Sequence, residues 1–209
     1  MAFRAVIFDL GGVVLGSPLH AIAAYEREIG IPEGFVNRVV VDSGPSGAWS
    51  RLERGELSMS AFHPAFEADC ETRGQTLSAE EMMRRMGEAS RPRPAMLEAV
   101  RRIRTQGLVA SALTNNWVSE DGGGTSGLRP HFDFFIESSQ LGLRKPDPRI
   151  YTYTCELIGV AADEAIFLDD IGRNLKPARE LGMTTLKVDD PDTTLAELTE
   201  LLRFPLGPA

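Results

Sequence analysis

Cysteine is nearly absent. Cys70 and Cys155 stand alone in a chain of 209 residues, far apart and in no paired metal-ligand spacing. That pattern leaves no zinc-thiolate site to build and points to two free thiols in a reducing compartment. Histidine is scarce too. His20, His63 and His131 are scattered, match no metal-binding spacing, and read as surface or packing residues. No apolar run is long enough to span a bilayer. Basic residues number 22 against 30 acidic ones, giving a formal net charge of -8. Such a surface repels nucleic acid and anionic membrane as main partners, although a local basic pocket can still hold a small anion. The first apolar strand starts almost at Met1, leaving no room for a removable leader, so a cytoplasmic protein is expected.

What the chain does have is a hydrophobic fraction of 43% with mixed charges, the composition of a globular protein. Two short apolar runs end in aspartate. Phe3 to Phe8 leads into Asp9, and Ala165 to Leu168 leads into Asp169 and Asp170. Runs this short, with Gly11-Gly12 and Gly172 directly behind them, read as strands of a parallel sheet buried on both faces. Further strands are expected at Leu108–Leu113, Asp133–Ile136 and Thr184–Val188. Helical stripes separate them: Met96, Leu97, Val100 and Ile103; Ile150, Tyr153, Thr154, Leu157 and Ile158; Leu175, Ala178 and Leu181; and Leu195, Leu198, Leu201 and Leu202. Strand and helix alternate as in an α/β protein, a Rossmann-like parallel sheet flanked by helices.

One stretch breaks the alternation. From Ser17 to about Arg93 the pattern is helical throughout, with a face of Leu19, Ile22, Ala23 and Ile29 and a turn cluster at Ser43–Gly47. A capping-box signature, Ser78 with Glu81, precedes Met82, Met83 and Met86, which read as core packing. The expected division is an α/β core of residues 1–16 and 94–209 carrying an inserted all-helical cap, 17–93. Asp121–Gly127 reads as a surface loop.

In open α/β sheets, ligands bind beyond the carboxyl ends of the strands. Carboxylates at two such ends can converge and hold a hard cation through oxygen. Thr114-Asn115-Asn116 ends another strand, and Arg144-Lys145-Pro146-Asp147-Pro148 precedes a helix. Together these segments offer a carboxylate nucleophile, hydroxyl and amide donors, a lysine and metal-binding carboxylates, the parts needed for phosphoryl transfer. Each segment has a plainer explanation when taken alone. Asp9, Asp169 and Asp170 could be caps, Thr114-Asn115 an ordinary turn, and Lys145 a solvated lysine. Capping does not require three such aspartates in register with one lysine.

Four segments in this order, each at a strand or helix boundary, resemble the haloacid dehalogenase-like (HAD) hydrolase superfamily. More narrowly, the chain is similar to the N-terminal phosphatase domain of soluble epoxide hydrolases and to the equivalent domain of acyl-CoA dehydrogenase fusion proteins. His131–Pro148 and Phe167–Gly182 carry that likeness. The resemblance implies that Asp9 is a nucleophile forming an aspartyl-phosphate. It implies that Thr114 and Asn115 bind the phosphoryl group and that Lys145 stabilises the charge. Mg2+ would be held by Asp9, the carbonyl of Gly11 and Asp170, with Asp169 acting through a metal-bound water and Asn174 supporting the site. A small organic phosphate would be the substrate.

The resemblance also exposes a gap. The family's second aspartate, two positions after the nucleophile, protonates the leaving group and activates water; this chain has Gly11 there. General acid-base help is worth about 10² to 10⁴ in rate. Two other functions therefore compete with a phosphatase. A dehalogenase would attack carbon through Asp9 without metal, and the Asp169-Asp170 pair argues against it. A degenerate domain with a binding role is the other, although decay would alter more than one position.

Overall fold

The computed structural model describes residues 2–118 and 125–207. Five parallel strands form one sheet: β1 (Ala5–Phe8), β2 (Val109–Thr114), β3 (Phe134–Glu137), β4 (Ala165–Asp169) and β5 (Thr184–Lys187), in the order β3-β2-β1-β4-β5. The centre is occupied by β1, with Ala5 in register with Val109 on one side and with Ala165 on the other. All four of its side chains are fully buried. Large apolar side chains each contribute about 1.5–3 kcal/mol when withdrawn from water, which makes this uninterrupted run a stable midline.

Side chains alternate between the two faces of the sheet. Val6, Phe8, Ala110, Ala112, Ile166 and Leu168 pack on one face with α6 (Pro94–Thr105) and α10 (Pro191–Leu202). Ala5, Ile7, Leu113 and Phe167 pack on the other with α8 (Pro148–Ile158) and α9 (Gly172–Leu181). Side-chain caps start several helices. Asp147 accepts from the Arg149 amide and Asp190 from the Thr193 amide, each with proline in the first turn. The short α7 (Ser138–Leu141) follows β3 directly. No helix among the described residues is long and apolar enough to cross a membrane.

Between β1 and α6 run five α-helices: α1 (Pro18–Ile29), α2 (Phe35–Asp42), α3 (Ala48–Glu53), α4 (Met59–Glu71) and α5 (Ala79–Ala89). They share a hydrophobic cluster of their own, in which Trp49, Phe62 and Phe66 pack with Met82, Met83 and Met86. The Ser78 hydroxyl caps α5 by accepting from the Glu81 amide, while the Glu81 carboxylate turns outward to Arg84 and Arg85. Two adjacent connections join this layer to the sheet. Leu15 bridges Pro92, the Gly16 amide donates to the Arg91 carbonyl, and the Arg93 amide donates to Val14. A Cβ at Gly16 would lie 2.3 Å from the Ala89 carbonyl oxygen, so only glycine lets the connections approach.

Three apolar stripes differ from the sequence expectation. Leu19 and Ile29 of α1 are exposed, and the helix buries Ile22, Tyr25 and Glu26 instead. Tyr153 and Leu157 of α8 are exposed as well, their places taken by Tyr151 and Cys155. Leu181 stands exposed at the end of α9. In α1 and α8 a polar or aromatic neighbour has a specific buried partner that a leucine lacks. Glu26 accepts from the amides of Gly34 and Val36, and the Tyr151 hydroxyl donates to the Asn174 carbonyl. Of the expected surface loop Asp121–Gly127, residues 121–124 lie outside the described residues, while Ser126 and Gly127 open a short 3₁₀ turn that ends at His131. Both cysteines are free and buried, and burial pushes the Cys70 thiol up to about 12.

Candidate active site

β1, β2 and β4 are neighbours, so their carboxyl ends meet where the chain order reverses across the sheet. Asp9 follows β1 directly, Thr114 closes β2, and Asp169 closes β4 with Asp170 next in sequence. Carboxylate oxygens of Asp9, Asp169 and Asp170 all lie within 4.8 Å of one another. Lys145, fully buried, reaches this point from the turn before α8. Its Nζ lies 2.8 Å from Asp9 Oδ1 and 2.8 Å from Asp169 Oδ2, and donates to the Leu113 carbonyl at 3.0 Å. All three ammonium protons thus have partners, which fixes the lysine as a pin between two strand ends.

The three carboxylates differ in what surrounds them. Asp169 is enclosed: Lys145, the Asn174 amide and the Ile171 N–H fill both its oxygens. Asp9 Oδ1 takes bonds from the Leu10 N–H at 2.7 Å and from Lys145. Its Oδ2 has no hydrogen-bond partner among the described residues, and the residue lines the cavity. Asp170 accepts from no other described side chain and also faces the cavity.

Burial holds the Asp9 carboxyl well above the usual carboxylate range; Lys145 pulls it down, and Asp169 and Asp170 push it up. Burial, then the neighbouring Asp169, raises Asp170 to about 6. Lys145 is raised above its ordinary value: desolvation lowers it, and the attraction of Asp169 and Asp9 prevails.

The turn after β1 sets apart two neighbouring glycines. Gly12 has φ of 77°, and a Cβ there would stand 2.0 Å from Asp170 Oδ2, so a side chain would fill the space beside that carboxylate. Gly11 has an ordinary φ of -64°, and a Cβ there meets only the Pro18 ring at 3.6 Å. Nothing in the backbone requires glycine at position 11.

A cavity of about 1100 Å³ opens over these residues. Asp9, Gly11, Thr114, Asn115, Lys145, Asp170 and Asn174 line it from the sheet side, so it gathers every predicted site residue except the enclosed Asp169. Ile22, Val36, Trp49, Met83 and Met86 line it from the helical layer, and Trp117 from the loop after β2. Asn115 is engaged in a way its sequence position did not reveal. Its side chain donates to the Lys145 carbonyl at 3.0 Å and accepts from the Lys145 amide at 2.8 Å, clamping the lysine's backbone. Asn116 fastens β2 to the end of β3 through Glu137, Ser138 and Ser139.

Sequence reasoning missed Glu53. This buried carboxylate at the end of α3 accepts from Arg144 and from Trp49 Nε1, with Asn115 Nδ2 at 3.3 Å, and its backbone carbonyl accepts from the Ser138 hydroxyl. Glu53 thereby ties the helical layer to the segment that carries Lys145, together with the Ser50 hydroxyl, which accepts from Arg144 Nη1 at 3.1 Å. No periodicity separates it from Glu56, which pairs with Arg54 at the surface.

A parallel α/β fold with an acidic centre and a buried lysine at its strand-order reversal defines a class of carboxylate-based enzymes. Within that class, the chain belongs to the haloacid dehalogenase-like hydrolases: the family model of that description matches residues 3–182. The chain is 36% identical over 228 residues to bifunctional epoxide hydrolase 2 of Sus scrofa, an alignment covering 100% of this chain and 41% of the relative. Acyl-CoA dehydrogenase family member 10 of Mus musculus is 37% identical over 209 residues, covering 98% of this chain and 20% of the relative. The chain thus spans less than half the length of either. A sesquiterpene phosphatase of Aspergillus oryzae is 26% identical, with 96% and 97% covered. Among solved structures, a predicted HAD-like hydrolase from Porphyromonas gingivalis superposes with a TM-score of 0.72 at 22% identity, covering 97% of this chain and 99% of that one.

Proposed function

We propose that the protein is a magnesium-dependent phosphatase that hydrolyses a small organic phosphate through Asp9. The observation that carries this reading is the convergence of Asp9, Asp169 and Asp170 within 4.8 Å. Lys145 satisfies only part of that charge, and burial, with the neighbouring carboxylates adding to it, raises the carboxyls of Asp9 and Asp170. An all-oxygen donor set with surplus negative charge suits a hard divalent cation. Asp9, Asp170 and the Gly11 carbonyl would hold it, with Asp169 one water removed, since Asp169's oxygens already have protein partners. Magnesium bound there supplies charge that offsets repulsion between the nucleophile and a phosphate dianion.

In this mechanism Asp9 Oδ2 attacks phosphorus, and the bond from phosphorus to the ester oxygen breaks as the new bond forms. The departing oxygen takes its proton from water, because Gly11 offers none. Water then cleaves the aspartyl-phosphate, releasing inorganic phosphate and restoring Asp9. Thr114 supports the phosphoryl oxygens from the end of β2. Asn115 keeps Lys145 in place, and Lys145 keeps Asp9 aimed. Residues 17–93 act as a cap that encloses the leaving group and selects it. Similarity to phosphatases, among them the sesquiterpene phosphatase of Aspergillus oryzae, supports this reading.

The test is phosphate release from an aryl phosphate with and without magnesium, beside Asp9→Asn. Magnesium-dependent release that disappears in the variant is expected. Metal-independent halide release from a 2-haloacid, with no phosphate release, would replace this reading with a dehalogenase.

A further inference from the structure

Four arginines line the cavity: Arg84, Arg129, Arg144 and Arg173. Arg84 pairs with Glu81 and Glu88, Arg129 with Glu137, and Arg144 with Glu53. Among the described residues Arg173 alone of the four makes no ion pair, and its buried Nε has no hydrogen-bond partner. Arg173 is half-buried, and a buried guanidinium N–H left without an acceptor is costly, so proteins ordinarily satisfy it. The nearest carboxylates cannot do so. Asp169 is filled by Lys145, Asn174 and Ile171, and Glu53 by Arg144, Trp49 and Asn115. Burial lowers the guanidinium's affinity for its proton, the like charge of Arg144 adds to this, and Glu53 and Asp169 offset only part. Arg173 also precedes Asn174, which is bonded to Asp169, so it stands beside the reaction centre on the sheet side of the cavity.

We propose that Arg173 receives a second oxyanion of the substrate, so that the protein selects phosphate monoesters whose leaving group carries a carboxylate or another phosphate. This selection rests on the phosphatase reading above. The planar fork of a guanidinium matches such groups with paired, charge-assisted hydrogen bonds. The contact is made equally in ground and transition states, so it acts on KM and leaves kcat to the chemistry at Asp9.

Hydrolysis is measured for three phenyl phosphates bearing a para carboxylate, a para phosphonate or a neutral para carboxamide. The matching benzylphosphonates, which cannot be hydrolysed, are titrated by calorimetry. Wild type should favour the charged members about 10- to 100-fold over the carboxamide in KM and in Kd, the range of a charge-assisted hydrogen bond. The carboxylate and phosphonate arms distinguish the two sources of the oxyanion. In Arg173→Met the ratio of charged to neutral should fall to near one, and Arg173→Lys should restore part of it. Equal affinity of wild type for charged and neutral probes would overturn the proposal, and so would a preference that survives in Arg173→Met. Discrimination in Kd without hydrolysis of any ester would support the oxyanion site while refuting the phosphatase reading.

Discussion

The end of the sheet and the helical layer above it are built on opposite terms. At the strand ends, charge is concentrated and nearly every donor is assigned: Lys145 has three partners, and Asp169 is bonded on both oxygens. In the layer, apolar packing dominates, and Glu53 is the carboxylate that reaches across to Arg144 and Asn115. The first arrangement tolerates little substitution because each group is held by several others. The second can change its side chains while keeping volume and polarity. The proposed function puts chemistry in the sheet and choice of substrate in the layer, a division that mutation can break.

The largest effect is expected at Asp9. Asp9→Asn should lower phosphate release by ~10⁴-fold or more, as removal of a covalent nucleophile does, while the circular-dichroism melting temperature stays level or rises. Retained turnover would remove Asp9 from the chemistry and erase the contrast between the two regions.

Next come the adjacent glycines. Gly11→Asp places an acid where the backbone is ordinary and the nearest obstacle is a proline ring at 3.6 Å. Turnover should rise by up to ~10² to 10⁴, most for alkyl phosphates, whose alkoxides need protonation. Wild type should in turn favour aryl, acyl and anomeric sugar phosphates, and phosphoenzyme should accumulate in a rapid quench. A rate independent of leaving-group acidity would refute the role given to Gly11. Gly12→Asp should do the reverse, abolishing activity and weakening the fold, because its side chain would collide with Asp170.

A smaller effect tests the tie. Glu53→Gln removes the charge that Arg144 faces and should destabilise the protein by about 3 kcal/mol, read as a lower urea midpoint. It should raise KM more than it lowers kcat if the layer selects and the sheet reacts. Equal losses in both would place Glu53 within the chemistry.

The smallest effect is in pH. Asp170, raised to about 6, and Asp9, raised further from its ordinary value, both favour the protonated form in the folded, metal-free protein. The contribution of each to stability is complete below the ordinary carboxylate range; that of Asp170 is lost as pH rises through about 6, and that of Asp9 is lost in the same direction. Glu81 and Glu98, held down to about 2 by their arginines, act in the opposite sense but titrate below this window. Without metal, the melting temperature should fall by several degrees between pH 5 and 7.5. Magnesium should reverse the fall, because it competes with those protons. A melting temperature that rises over the same interval would argue against the crowding.

The sheet and its acidic centre were largely legible in the chain. Short apolar runs announce buried strands, and a residue at the end of such a run sits at the ligand end of the sheet, which places Asp9, Thr114, Asp169 and Asp170 there before any coordinates exist; Lys145, in the turn before α8, was assigned to the site by the resemblance. Local pattern could not supply what depends on how α3 meets the sheet: the Glu53–Arg144 pair, the clamp from Asn115 to the Lys145 backbone, and the isolation of Arg173. Leucines at 19, 157 and 181 fit helical stripes yet remain outside, because a stripe fixes one side of a helix and not where its neighbour ends.

The central place of β1 has a consequence for how the molecule is made. Ala5 pairs with Val109 and Ala165, so the strand that leads into Asp9 must wait for partners synthesised long after it. Elongation proceeds at about 5–20 residues per second. During those seconds the ribosome holds an apolar strand with both edges open, while the helices of 17–93 can close around their own cluster. The strand that leads into Asp9 is thus secured only after β2 and β4 have emerged, and until then the nascent chain is exposed to aggregation at the element on which the proposed chemistry depends.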